Sequence, residues 1–129
     1  MSKDKFVVAV VDDDTRLLES LDDLLDSAGY SVRPFSSAKA FLASDWSDVD
    51  LLITDIGMPD IDGLELRDRV GRSRPKMPVF LITGRHEIAD QQRTQGIRDL
   101  FRKPFDGSAL LSALNDALQN RKQGDGHDA

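Results

Sequence analysis

Five short apolar runs alternate with longer segments in which apolar residues recur at helical spacing. The runs lie at residues 6–11, 30–35, 51–55, 79–83 and 99–102. Continuous apolar runs of about four to eight residues are typical of strands buried on both faces. The pattern therefore predicts five strands separated by helices.

Five helices are predicted. Leucines at helical spacing lead up to Gly29, which ends the first helix, and Ser36 or Ser37 can cap the second. The fourth helix carries few apolar residues, whereas the last has a clear leucine stripe. The last three helices are predicted over about residues 64–72, over 86–95, and from the capping residue Asp106 to about 121.

Strands that alternate with helices predict one parallel sheet with helices on both faces. The expected fold is a single doubly wound, flavodoxin-like α/β domain with strand order 2-1-3-4-5. In this order the reversal point, where such folds place their sites, lies between strands one and three. We assign residues 1–121 to this domain and the polar, glycine-containing residues 122–129 to a flexible tail.

Charged and polar residues stand at the ends of four of the five runs. Asp12 and Asp13 follow the first, Asp55 ends the third, Thr83 ends the fourth and Lys103 follows the fifth. Parallel strands would bring these ends to one rim of the sheet. Three crowded carboxylates repel one another unless a cation lies among them, and an oxygen-only set favours a hard ion such as magnesium. This combination indicates a phosphoryl-transfer site.

The composition narrows the function further. The chain has 129 residues, 40% hydrophobic and 31% charged, as expected for one soluble globular domain. Its net charge of −6 argues against direct nucleic-acid binding. It has no cysteine, which excludes disulfides, zinc–thiolate sites and thiol catalysis. The first apolar run is too short for a signal peptide or membrane span. We expect a cytoplasmic protein that does not contact a membrane.

Four segments in this order resemble a response regulator receiver domain of the chemotaxis-regulator superfamily. The resemblance covers roughly residues 5–120, and its second and fourth segments are most similar to receivers of the nitrogen-fixation regulator type. The segments are Val11–Asp13, Thr54–Gly63, Ile82–Gly84 and Lys103–Phe105.

The resemblance implies a role for each residue at the rim. Asp55 is the phosphoacceptor, Lys103 contacts the phosphoryl group and Thr83 hydrogen-bonds it after activation. The Lys103–Pro104 peptide is expected to be cis. Asp13 binds magnesium directly and Asp12 assists it. The implied magnesium ligands are Asp12, Asp13, Asp55 and the backbone carbonyl of Gly57.

The resemblance also implies partners. The phosphoryl donor is a sensor histidine kinase or a histidine phosphotransfer protein. The output is contact with an unknown downstream protein, through the surface of the fourth helix, fifth strand and fifth helix; a phosphorylation-dependent homodimer stays open. Leu100 stands where the family often carries an aromatic switch residue, and alternation points Phe101 to the opposite face. Arg85 and Gly57 border the phosphate in the family, which leaves the dephosphorylation rate open.

Other interpretations compete with this one. Acids after a strand are often helix N-caps, and Asp12, Asp13 or Asp14 could serve in that way. An aspartate-nucleophile phosphatase of the haloacid-dehalogenase type uses similar residues, but there the nucleophile comes first and the acid pair last. A phosphorylation-independent pseudo-receiver would lack a site residue, and none is missing here.

Overall fold

The computed structural model describes residues 5–84, 95–97 and 99–127, with side chains as far as residue 119. Its sheet has five parallel strands in the order β2-β1-β3-β4-β5, which confirms the predicted topology. The strands are β1 (Val7–Val11), β2 (Ser31–Phe35), β3 (Leu51–Asp55), β4 (Val79–Thr83) and β5 (Leu100–Arg102).

Four of the five predicted helices lie in the described ranges: α1 (Thr15–Ser27), α2 (Ala38–Ala43), α3 (Gly63–Ser73) and α4 (Gly107–His127). The helix predicted over residues 86–95 lies outside them, except that Gln95 and Gly96 form a turn. In the same ranges we find no helix that is long and apolar enough to cross a membrane.

The last helix is longer than predicted. The polar composition places its end near residue 121, whereas α4 continues to His127. Polar residues and glycine weaken a helix, but unlike proline they do not remove a backbone hydrogen bond. The division into a domain over 1–121 and a flexible tail over 122–129 stays a prediction.

Short polar side chains begin the helices. Asp14 caps α1 by accepting a hydrogen bond of 3.0 Å from the Arg16 amide, and Ser37, rather than Ser36, caps α2. Asp62 caps α3 through the Glu65 amide at 2.9 Å. The Asp106 carboxylate accepts from the Ser108 amide at the start of α4. Because Asp14 caps α1, Asp12 and Asp13 are not needed for that role.

The core is divided between the two faces of the sheet. One cluster packs α1 and α4 against the sheet through Leu21, Leu25, Leu110, Leu114 and Leu118. The other packs α2 and α3 on the opposite face through Ala38, Phe41, Leu66 and Val70. All five residues of β3 are buried. Asp55, the last residue of this central strand, therefore lies where the buried strand reaches the rim of the sheet.

Two features protect the outer parts of the sheet. The edge strand β2 carries the exposed residue Pro34. At the amino-terminal edge, the buried carboxylate of Asp50 accepts a hydrogen bond of 2.7 Å from the Val7 amide, and the Asp50 amide donates to the Val7 carbonyl at 2.8 Å. Both the N–H and the C=O of Val7, the first residue of β1, are thus hydrogen-bonded to Asp50.

Candidate functional site

The carboxyl ends of four strands bring the predicted site residues to one rim. Asp12 follows β1, Asp55 ends β3 and Thr83 ends β4. The Lys103 amide donates to the Thr83 carbonyl at 2.8 Å, which places Lys103 beside the end of β4. The expected meeting of the acidic groups and the ammonium group therefore occurs at this rim, where the strand order reverses between β1 and β3.

Three carboxylates form a tight group. Asp12, Asp13 and Asp55 each offer one oxygen, and these oxygens all lie within 4.8 Å of one another. Asp12 is 1% exposed and Asp55 6% exposed, whereas Asp13 is open to solvent. The group can therefore hold a cation with one side towards water. Oxygen donors alone fit a hard divalent ion.

Lys103 lies against the two buried acids. Its Nζ is 3.3 Å from Oδ1 of Asp55 and 3.5 Å from Oδ2 of Asp12. Burial by itself lowers the pKa of Lys103, but attraction to Asp55 and then to Asp12 outweighs it, so the net shift is upward. The side chain therefore stays an ammonium ion across the physiological range and provides a fixed positive charge at the rim.

The Asp12 carboxylate is strongly perturbed by its surroundings. Burial is the largest effect and, with the charge of Asp55, raises its pKa from 3.8 to about 6. The Asp14 amide, which donates to Asp12 at 2.8 Å, and Lys103 both act in the opposite direction. One lysine thus compensates the buried negative charge only in part. A bound cation would remove the remaining repulsion.

Thr83 and Gly57 are the remaining residues of the predicted site. Thr83 is 5% exposed at the end of β4, and Gly57 is half-buried two residues after Asp55. The loop that carries Gly57 is anchored by the buried side chains of Met58 and Ile61 in the α2–α3 cluster. The roles of Gly57 and Thr83 stay predictions. The Lys103–Pro104 peptide is cis, which confirms the expectation from the resemblance.

The two residues at the proposed switch position face different ways. Phe101 stacks on Phe80 with ring centroids 5.6 Å apart and packs against the α1–α4 cluster. Leu100 pairs with Leu81 in the sheet and, by alternation, points to the other face. Phe101 therefore packs into the α1–α4 cluster, and the switch role of position 100 stays a prediction.

Two glycines next to the site have tight surroundings that the sequence pattern did not reveal. A Cβ atom at Gly84 would lie 3.3 Å from Cδ of Lys103, so this glycine lets the lysine stem pass closely. A Cβ atom at Gly63 would overlap the carbonyl oxygen of Asp55. In the sequence Gly63 lies just before the helix predicted from about residue 64, and nothing in the pattern distinguishes it from another loop glycine.

The protein family that matches this chain has the same type of site. The family model for the response regulator receiver domain matches residues 8–115. That range includes all of the strands except the first residue of β1, and it contains the three carboxylates, Thr83 and Lys103.

Curated relatives are regulators of greater length. The transcriptional regulatory protein FixJ of Azorhizobium caulinodans is 37% identical over 126 residues, covering 95% of this chain and 60% of the relative. The response regulator protein TodT of Pseudomonas putida is 36% identical over 122 residues, covering 92% and 54%. The chain therefore spans little more than half the length of these relatives. The FixJ similarity agrees with the predicted nitrogen-fixation regulator subtype.

Solved structures share the fold. A CheY-like receiver domain from Methanospirillum hungatei superposes with a TM-score of 0.83 at 27% identity, covering 93% of this chain and 98% of that one. Full-length FixJ from B. japonicum gives 0.80 at 30% identity, covering 96% and 63%. Fold, site and sequence agree: the chain belongs to the response regulator receiver domain family, the phosphoacceptor domains of two-component signalling.

Proposed function

We propose that Asp55 is the residue that receives the phosphoryl group. The observation that carries this proposal is its position: it ends the fully buried central strand, belongs to the carboxylate group and lies 3.3 Å from Lys103. In the transfer an Asp55 oxygen attacks phosphorus, a P–O bond forms and the bond to the donor's leaving atom breaks. With phosphohistidine as donor, that atom is an imidazole nitrogen.

Asp12, Asp13, Asp55 and the Gly57 carbonyl would hold magnesium, which supplies positive charge against the phosphoryl oxygens when it is bound. The fit rests on the group of three carboxylate oxygens and on the partial compensation by Lys103. Asp13, the exposed member, lies on the solvent side. Asp12 is held by the Asp14 amide, which fixes its orientation.

Lys103 and Thr83 act on the transferred group. The Lys103 ammonium lies close enough to Asp55 to follow the phosphoryl oxygens as their charge replaces that of the carboxylate. The Thr83 hydroxyl, at the end of the neighbouring strand, can donate a hydrogen bond to the acyl phosphate. Phosphotransfer and later hydrolysis are self-catalysed, and we infer no separate enzymatic activity.

We also propose that the donor is a sensor histidine kinase or a histidine phosphotransfer protein and that the output is a protein contact. The family assignment supports a histidine kinase as partner. The downstream protein, homodimer formation and the cytoplasmic location stay predictions. Nothing favours the phosphatase or the pseudo-receiver, because every residue of a phosphoacceptor site is present.

Acetyl phosphate with magnesium tests the acceptor directly, with mass spectrometry of the intact protein as readout. The wild type should gain one phosphate and Asp55→Asn none. Asp60→Asn is the matched control: Asp60 is an exposed acid on the same loop with a φ of 66°, a conformation that asparagine tolerates. It should label like the wild type. Undiminished labelling of Asp55→Asn would refute the assignment, and a wild type that never labels would favour the pseudo-receiver.

A further inference from the structure

The first residue of α3 lies against the backbone of the proposed acceptor. A Cβ atom on Gly63 would overlap the carbonyl oxygen of Asp55 and lie 2.9 Å from both its carbonyl carbon and the Cα of Ile56. These are backbone atoms, which cannot rotate away as the end of a side chain can. Only glycine allows α3 to begin this close to the Asp55–Ile56 peptide.

Both sides of this contact are held in place. On the helix side, Leu66 and Val70 are fully buried in the α2–α3 cluster. On the strand side, the Ile56 amide donates to the Ile82 carbonyl at 2.9 Å, and the Ile56 side chain is buried. Neither element can move without disturbing the core. The peptide after Asp55 is thus fixed between the sheet and the start of the helix.

Hydrogen bonds join the same two elements. The Gly63 amide donates to the Ile56 carbonyl at 3.0 Å, and the Met58 amide donates to the same carbonyl at 3.0 Å. Asp62 caps the helix immediately before this point. The loop that joins β3 to α3 and contains Gly57 is therefore closed by backbone hydrogen bonds where it leaves the strand and enters the helix.

We infer that Gly63 is a positioning residue for phosphoryl transfer: by letting α3 contact the Asp55–Ile56 peptide, it fixes the direction of the Asp55 carboxylate. The Asp55 side chain branches from the Cα that precedes this peptide, so a displaced peptide turns the carboxylate. Such a turn would change the 3.3 Å distance between the Asp55 carboxylate and Nζ of Lys103. This inference rests on the proposed role of Asp55.

The steric test is Gly63→Ala, with Gly71→Ala as matched control. Gly71 is in the same helix, is exposed, and a Cβ there would meet nothing within 4 Å. Both variants are labelled with acetyl phosphate at saturating magnesium, at a temperature where circular dichroism shows them fully folded. Displacing a reacting group by about 1 Å can slow a reaction by about a hundredfold. We expect at least a tenfold lower maximal rate for Gly63→Ala and an unchanged rate for Gly71→Ala.

The maximal rate separates positioning from a structural role. A variant that is merely less stable but still folded would label at the wild-type rate, and that result would overturn the inference. A lower magnesium affinity with an unchanged maximal rate would also overturn it. If the wild type does not label, or Asp55→Asn labels equally, the proposed function itself fails. These failures are therefore distinguishable.

A second pair of variants keeps the test decisive if Gly63→Ala does not fold. Asp62→Ala removes the cap that holds the start of α3, and Asp62→Ser retains a capping side chain. We expect Asp62→Ala to lower the maximal labelling rate about threefold while the protein stays folded, and Asp62→Ser to restore it. Equal rates for Asp62→Ala and the wild type would overturn the inference.

Discussion

Replacing Asp12 by asparagine should stabilise the metal-free domain at neutral and alkaline pH. Asp12 is buried, and its pKa rises from 3.8 to about 6 on folding. The folded state therefore holds this proton more tightly than the unfolded state does. Any stability linked to Asp12 is present at low pH and is lost as the pH rises through about 6.

The size of the effect follows from the two pKa values. One pKa unit corresponds to about 1.4 kcal/mol, so an ionised Asp12 lowers the free energy of unfolding by about 3 kcal/mol at pH 8. At pH 4.5 the same calculation leaves a penalty of about 1 kcal/mol. Asparagine has a similar shape, and its oxygen can still accept the 2.8 Å hydrogen bond from the Asp14 amide. The variant should avoid most of the penalty.

Urea denaturation in the presence of a chelator measures this difference, with fluorescence of the single tryptophan, Trp46, and circular dichroism as probes. Asp12→Asn should exceed the wild type in free energy of unfolding by about 2 kcal/mol more at pH 8 than at pH 4.5. Asp14→Asn is the control, because Asp14 is exposed and asparagine caps helices equally well. An Asp12→Asn difference that does not change with pH would refute the reasoning.

Two further predictions concern the cation and the lysine. Magnesium should raise the melting temperature of the wild type but not that of Asp13→Ala, because this variant lacks the exposed ligand. Calorimetry measures both melting temperatures, and equal stabilisation of the two proteins by magnesium would contradict the proposed ligand set. Lys103→Met should lower the metal-free free energy of unfolding by about 2 kcal/mol, since Asp12 and Asp55 lose their shared positive partner. Lys39→Met, which loses only an exposed 3.7 Å pair, should cost less than about 1 kcal/mol in the same urea titration, and equal losses would contradict the assignment.

The strands and the rim could be predicted from the sequence because burial restricts composition so strongly. A strand covered on both faces consists mostly of apolar residues, so the change from Val11 to Asp12 marks the end of β1 at the rim of the sheet. The same reasoning applies at Asp55 and Lys103. Parallel connections then leave one edge where these ends can meet.

The choice among neighbouring acids could not be made from the sequence. Asp12, Asp13 and Asp14 are equally good capping residues, and only the turn at which α1 begins selects Asp14. Ser36 and Ser37 are equally ambiguous in the sequence, and in the structure it is the Ser37 hydroxyl that accepts a hydrogen bond from the Ala40 amide. Neighbouring residues of the same type point their side chains in different directions, and the sequence alone does not show which one meets the start of the helix.

Two contacts between distant segments could not be predicted from the sequence. Asp50 pairs with Val7, 43 residues earlier, and Gly63 meets the Asp55 peptide because α3 turns back over the end of β3. Neither contact leaves a periodic signal, because each depends on which elements become neighbours in space. Such residues are visible in the sequence only as an acid or a glycine in a loop.

Pro34 restricts how this sheet can grow. The Ser31 amide donates towards β1, so by alternation along a parallel strand the nitrogens of residues 32 and 34 face outward. Proline has no N–H, and one of the outward donors in β2 is therefore missing. A peptide or second chain that added a sixth strand here would leave one of its own carbonyls unpaired. The β2 edge is thus poorly suited to strand addition, which disfavours edge-to-edge association of two copies of the domain through β2.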